Sequence, residues 1–165
     1  MILGEVDLVR MYPEFKDDVQ PAGIDLRCGE LFHLRNSSDV GMYDNKKFLP
    51  KQVSVATGKK QIKNGVLVDG WYLAPGASYI ISVDRKIKIP EGVAQLYYPR
   101  SSLLRGGVTL DTAVGDPGFN GTLSFLIRNE GEGSFFLGKG ERFCQALSYE
   151  VWRGGKYDGD YQESE

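Results

Sequence analysis

Residues Tyr98 to Gly121 read YPRSSLLRGGVTLDTAVGDPGFNG. Two arginines, two serines, two aspartates and an Asp-Pro-Gly turn are crowded between two apolar, strand-like runs, Val93 to Tyr97 before and Thr122 to Ile127 after. Strands joined through tight turns at this spacing are what a sandwich, barrel or jelly roll looks like in sequence. The expected fold class is therefore all-β.

Arg100, Ser101 and Ser102 follow Pro99 at the end of a strand, where a guanidinium, two hydroxyls and backbone amides can converge on one anion. The same residues also suit an arginine ion pair beside serines that cap a helix running into Leu103, Leu104 and Arg105. Both readings stand at this stage. Asp111 and Asp116 flank Thr112, Ala113, Val114 and Gly115, and Asp116 opens the turn. Aspartate is a common turn residue in its own right. Held on a rigid turn near a phosphate-binding arginine, however, it could also take a proton from a water attacking phosphorus.

Outward from this stretch, the chain keeps the same grammar. An apolar set at helical spacing, Ile2, Leu3, Val6, Val9 and Met11, predicts one short helix that ends before Pro13. From Gly23 onward, apolar and polar residues alternate through Ile24, Asp25, Leu26, Arg27 and Cys28, which sets Asp25 opposite Ile24 and Leu26. The span from Asn36 to Gly70 is polar and lysine-rich, and reads as a peripheral hairpin region or long loop. Strand-like runs return at Trp71 to Leu73, Tyr79 to Val83, Ile87 to Ile89, Phe135 to Leu137 and Phe143 to Val151. Glu141, Arg142 and Gln145 lie where a turn enters the last strand, and could bond into a site or solvate an edge. The tail from Arg153 to Glu165 is charged, Gly-rich and aromatic, with no apolar face of its own. It is expected to be mobile unless a ligand or neighbouring subunit orders it.

Composition narrows the chemistry. At 165 residues and 41% apolar content the chain suits a single domain, 1–165, with one core. A net charge of -2 with no basic block gives no field to draw nucleic acid or an anionic membrane. No apolar run is long enough to span a bilayer and Met1 to Arg10 lacks a signal-peptide layout, so the expected location is cytoplasmic. His33 is the only histidine, which argues against a histidine-based zinc site or a Ser-His-Asp triad. Cys28 and Cys144 read as buried thiols. Neither GxxxxGK[ST] nor GxGxxG occurs, so P-loop and Rossmann readings fail. Carboxylates, hydroxyls and cations must carry the chemistry.

In motif order the chain resembles the dCTP deaminase and dUTPase superfamily. PAGIDLR (Pro21 to Arg27) is similar to its first motif, PRSSLLR (Pro99 to Arg105) to the second, Thr112 through Gly121 to the third, and Gly140-Glu141-Arg142 with Gln145 to the fourth. Arg153 to Tyr157 is similar to the closing tail. The resemblance implies a distorted β jelly roll with one short N-terminal helix, and homotrimers with sites between subunits. Deaminases of this group carry a proton-shuttling glutamate where Leu126 stands here, and no carboxylate occurs from Thr122 to Ile127. The span from Arg105 to Asp116 more closely resembles the archaeal-type dUTPases that group with the deaminases.

The resemblance thus implies a Mg²⁺-dependent dUTP diphosphatase. Asp116 would be the base and Asp25 an orienting acid, with the metal held mainly by substrate phosphates and water and not directly by the protein. Arg100, Ser101, Ser102 and Arg105 would grip phosphates, and Gln145 would complete the inner shell. The backbone of Asp111, Thr112, Ala113 and Val114 would read uracil. Phe119, where many dUTPases carry tyrosine, would pack on the deoxyribose. The tail, with Lys156 and Tyr157, would close over the nucleotide. Alternatives at this stage are a dCTP deaminase, alone or bifunctional, and a non-catalytic nucleotide-binding regulator.

Overall fold

The computed structural model describes residues 1–35, 40–44 and 46–162. Helix α1 (Glu5–Met11) is followed by a 3₁₀ turn, Pro13–Asp18. Eight principal strands follow: β1 (Gly23–Arg35), β2 (Leu67–Leu73), β3 (Ser78–Val83), β4 (Val93–Pro99), β5 (Val108–Asp111), β6 (Ser124–Asn129), β7 (Phe135–Gly138) and β8 (Arg142–Glu150). A short helix, α2 (Ser101–Arg105), caps the corner after β4, and a second 3₁₀ turn lies at Lys63–Gly65.

The main sheet runs in the order β4-β8-β1-β3-β6-β5, antiparallel throughout. Its two end strands, β4 and β5, touch, so the sheet curls into a nearly closed barrel of the jelly-roll kind expected. Strand β7 pairs with β2, and β2 with Gly58–Gln61, as a separate three-stranded sheet. The core fills the barrel with Ile24, Leu26, Leu31, Ile81, Ile127 and Phe143, all fully buried. Each such side chain contributes about 1.5–3 kcal/mol by leaving water.

Helix α1 differs from its sequence reading in one respect. Leu8 and Tyr12, four residues apart, turn inward and are fully buried, whereas Val6 is 83% exposed and Val9 and Met11 are also exposed. The reason is the start point: Ile2 is not helical but bridges to Tyr149, so the helix begins at Glu5 and presents a different stripe. The polar 36–70 span contains a small hairpin, Gly41–Tyr43 with Lys46–Phe48, and Lys51–Ser54 extends the edge of β1. The parts of that expectation at 36–39 and 45, and of the tail at 163–165, lie outside the described residues.

Candidate active site

Alternation along β1 sends Ile24 and Leu26 into the barrel and Asp25 to the other face, yet Asp25 is only 2% exposed. Arginines cover it. Arg100 Nη1 donates to Asp25 Oδ2 at 2.9 Å, and Arg142 Nη1 lies 3.5 Å from the same oxygen. Register explains the convergence, because Gln145 on β8 stands opposite both Asp25 and Tyr98, two residues before Arg100. Burial pushes the Asp25 carboxyl above its ordinary value, against the pull of Arg100 and Arg142.

A second buried acid, Asp18, extends this cluster. It accepts from Arg27 Nη2 at 2.6 Å and Nε at 3.0 Å, and Arg142 Nε lies 3.2 Å away. Arg142 therefore bridges two buried carboxylates. The sequence left Arg142 undecided and gave no sign of Asp18, which follows a lysine and an aspartate in a polar run. Nothing local marks an acid for burial when its partners lie on distant strands.

At the corner after β4, helix α2 begins as the cap reading expected, but Arg100 occupies the N-cap position and no side chain caps the helix. Ser101, Ser102 and Arg105 are exposed.

Asp116 sits on a backbone clamped from both sides. Before it, Gly115 exchanges two hydrogen bonds with Gln95 of β4, and Thr112 Oγ1 donates to the carbonyl of Tyr97 at 3.1 Å. After it, Phe119 N donates to Asp116 O at 3.1 Å with Gly118 at φ 82°, the arrangement of a type II turn with proline second and glycine third. Gly118 N and Phe119 O then bond to Ile89. The Asp116 side chain is exposed, and makes no hydrogen bond or ion pair among the described residues. Asp111, Thr112, Ala113 and Val114 are exposed beside it. Leu126 stands opposite Asp111 in the β5–β6 ladder.

The tail folds back over this turn. Tyr157 N donates to Pro117 O at 2.7 Å, and the Tyr157 ring meets Phe119 edge-on at 5.7 Å. Phe119 is 8% exposed, and Tyr157 covers the ring expected to face a sugar. The Lys156 stem lies over Gly118 while its ammonium is 3.5 Å from Glu91. Gln162 bonds to Asn120 and Gly118, and Lys47 pairs with Asp160 at 2.6 Å.

The site residues thus form two groups within one chain. Asp25, Arg100 and Gln145 gather around β1, β4 and β8, with Ser101, Ser102 and Arg105 on the adjoining α2. Asp116, Phe119, Lys156 and Tyr157 gather at the turn. A cleft of about 520 Å³ is walled by Asp116, Pro117 and tail residues 154–159, and another of about 320 Å³ has Ser102 and Arg142 in its wall. Neither cleft draws on both groups. Among the described residues no group of three or more His, Cys, Asp and Glu side chains is placed to hold a metal ion, and no helix is long and apolar enough to cross a membrane.

A family model described as dCTP deaminase-like matches residues 4–151. The chain is 45% identical over 163 residues to a probable deoxyuridine 5'-triphosphate nucleotidohydrolase of Methanothermobacter thermautotrophicus, covering 99% of this chain and 100% of the relative. It is 38% identical over 162 residues to a protein of the same description from Methanopyrus kandleri, covering 98% and 99%. In fold it is similar to the crystal structure of 2'-deoxycytidine 5'-triphosphate deaminase from Agrobacterium tumefaciens, with a TM-score of 0.64 at 19% identity. That likeness covers 89% of this chain and 46% of the other.

Proposed function

The chain belongs to the dCTP deaminase-like family, and from that premise we propose that it is a dUTP diphosphatase, hydrolysing dUTP to dUMP and pyrophosphate. The observation that carries this reading is the contrast between Asp116 and Leu126. A solvent-facing carboxylate stands on a clamped turn, while the segment 122–129, which includes β6, offers no carboxylate to shuttle a proton for deamination.

In this reading Asp116 takes a proton from water as the water oxygen bonds to the α-phosphorus. The bond from that phosphorus to the bridging oxygen breaks, and pyrophosphate leaves. Arg100, Ser101, Ser102 and Arg105 hold phosphate oxygens, and Asp25 orients Arg100 through their 2.9 Å hydrogen bond. Gln145, between Asp25 and Tyr98, completes the inner surface. Backbone groups of 111–114 read the uracil edge, and Phe119 packs on the deoxyribose once Tyr157 moves to close over the nucleotide with Lys156. Mg²⁺, carried mainly on the triphosphate and water, would neutralise phosphate charge beside the arginine and serine donors. The separate positions of the two groups in one chain support a homotrimer in which sites are completed between subunits. A cytoplasmic location accompanies this role.

Incubation with dUTP, dCTP, dTTP and UTP, with pyrophosphate and ammonia both measured, tests the reading. Pyrophosphate from dUTP without ammonia from dCTP is expected. Ammonia release would replace it with a deaminase or bifunctional enzyme, and tight binding without turnover would leave a nucleotide-binding regulator. Asp116→Asn is expected to lower turnover by about 10²–10⁴-fold, the range for a general base, with nucleotide affinity retained.

A further inference from the structure

We propose that Gln95 and Tyr97 of β4 are positioning residues for Asp116: together they seat Gly115 at one fixed point and so fix the carboxylate of the residue after it. The inference rests on the reading of Asp116 as the base.

Gln95 is a fully buried amide in a β-barrel, a place where an apolar residue would avoid any desolvation cost. Every polar atom of its side chain is used. Nε2 donates to Tyr12 Oη and to Ser148 Oγ, each at 3.1 Å, and Oε1 accepts from Tyr97 Oη at 3.0 Å. A satisfied buried network of this kind is rigid, since any rotation of the amide leaves donors and acceptors unpaired. Its backbone reaches the other way: Gln95 N donates to Gly115 O at 2.8 Å and Gly115 N to Gln95 O at 2.9 Å. One residue therefore ties the segment before Asp116 to α1's C-terminal end and to β8.

Tyr97 supplies the seat. A Cβ on Gly115 would stand 2.1 Å from Tyr97 Oη and 2.6 Å from Ile89 Cδ1, so glycine rests directly on the phenol and no other residue fits without displacing it. The Tyr97 carbonyl holds Thr112 of the same loop, and the ring packs against Phe125 at 5.0 Å. Burial, first, pushes the phenol well above its ordinary value, and the Asp116 carboxylate adds to the effect. It stays a neutral donor to Gln95.

Tyr97→Phe keeps the ring and its Phe125 contact and removes only the hydroxyl that bonds Gln95 and touches Gly115. The expected result is a fall in kcat for dUTP of about tenfold, with affinity for a non-hydrolysable dUTP analogue within about threefold of the parent. In an Asp116→Asn background the same change is expected to cost nothing further, because the group being positioned is already gone. Equal fold-losses in both backgrounds, a parallel loss of kcat and affinity, or kcat within twofold of the parent would each overturn the inference while leaving the dUTP diphosphatase reading intact. Parental turnover by Asp116→Asn alone would overturn the inference together with the assignment of Asp116 as the base. Should Tyr97→Phe fail to accumulate in folded form, Gly115→Ala probes the same contact from the other side. It is expected to lower kcat more than tenfold with analogue affinity held, and a change confined to affinity would sink the proposal.

Discussion

Asp25 holds a charge where water scarcely reaches, under Arg100 and Arg142. A carboxyl that keeps its proton more tightly when folded makes the folded chain bind more protons than the unfolded one, between the ordinary value of about 4 and the raised native value. Ionisation of Asp25 therefore subtracts stability as pH rises through that window. Asp25→Asn has nothing to ionise there. Its melting temperature, relative to the parent's, is expected to climb as pH is raised from about 4 upward, and thermal melts across that range read the difference directly. A relative fall would mean that the arginines outweigh burial. The two thiols behave differently from a reactive pair: burial pushes Cys28 up to about 11 and Cys144 up to about 12, in keeping with the inert reading of both.

At the scale of elements, the 3₁₀ turn Pro13–Asp18 packs Phe15 into the core, accepts from Arg85 at the Glu14 carbonyl, and is clipped to the barrel through Asp18. Asp18 holds Arg27 of β1 and Arg142 of β8 together, and Arg27 Nη1 also reaches the Gly140 carbonyl in the turn that leads into β8. Asp18→Asn keeps the shape but removes the charge that two guanidiniums share. Because both arginines are about a third exposed, water relieves part of the loss, and a destabilisation of about 1–3 kcal/mol is expected in urea unfolding. An unchanged midpoint would show that the clip contributes nothing. The turn at Asp116 was legible because its determinants are local: proline in second place, glycine in third, with the positive φ that glycine tolerates. The clip was not, because Asp18 and Arg142 are brought together only by the sheet.

For the whole molecule, the question is how two separate clefts serve one reaction. If sites are completed across subunits, sedimentation will give a mass of three chains. Oligomers reassembled from a mixture of Asp116→Asn and Arg105→Ala subunits are then expected to recover turnover that neither homogeneous variant has. In a mixed trimer one of the two mixed boundaries unites an intact turn with an intact phosphate grip, and the other carries both lesions. A single-chain mass, or mixtures no more active than their parts, would place the complete site within one subunit.

Residue patterns by themselves determined much: period-2 alternation and turn chemistry gave an all-β fold, with sandwich, barrel and jelly roll all open, and the run Tyr98 to Gly121 gathered the candidate base and phosphate donors, because strand faces and turns depend on near neighbours. Tertiary structure alone decided which acids are buried, which arginines are engaged, and what lies beneath Gly115. Asp25 looked like a solvent-side residue of a half-buried strand and is instead roofed by Arg100 and Arg142. Gln95 drew no notice within the run Val93 to Tyr97 and is the fully buried centre of a network from Tyr12 to Ser148. Burial and ion pairing are properties of where strands meet, and a strand's own sequence carries no record of its neighbour's register.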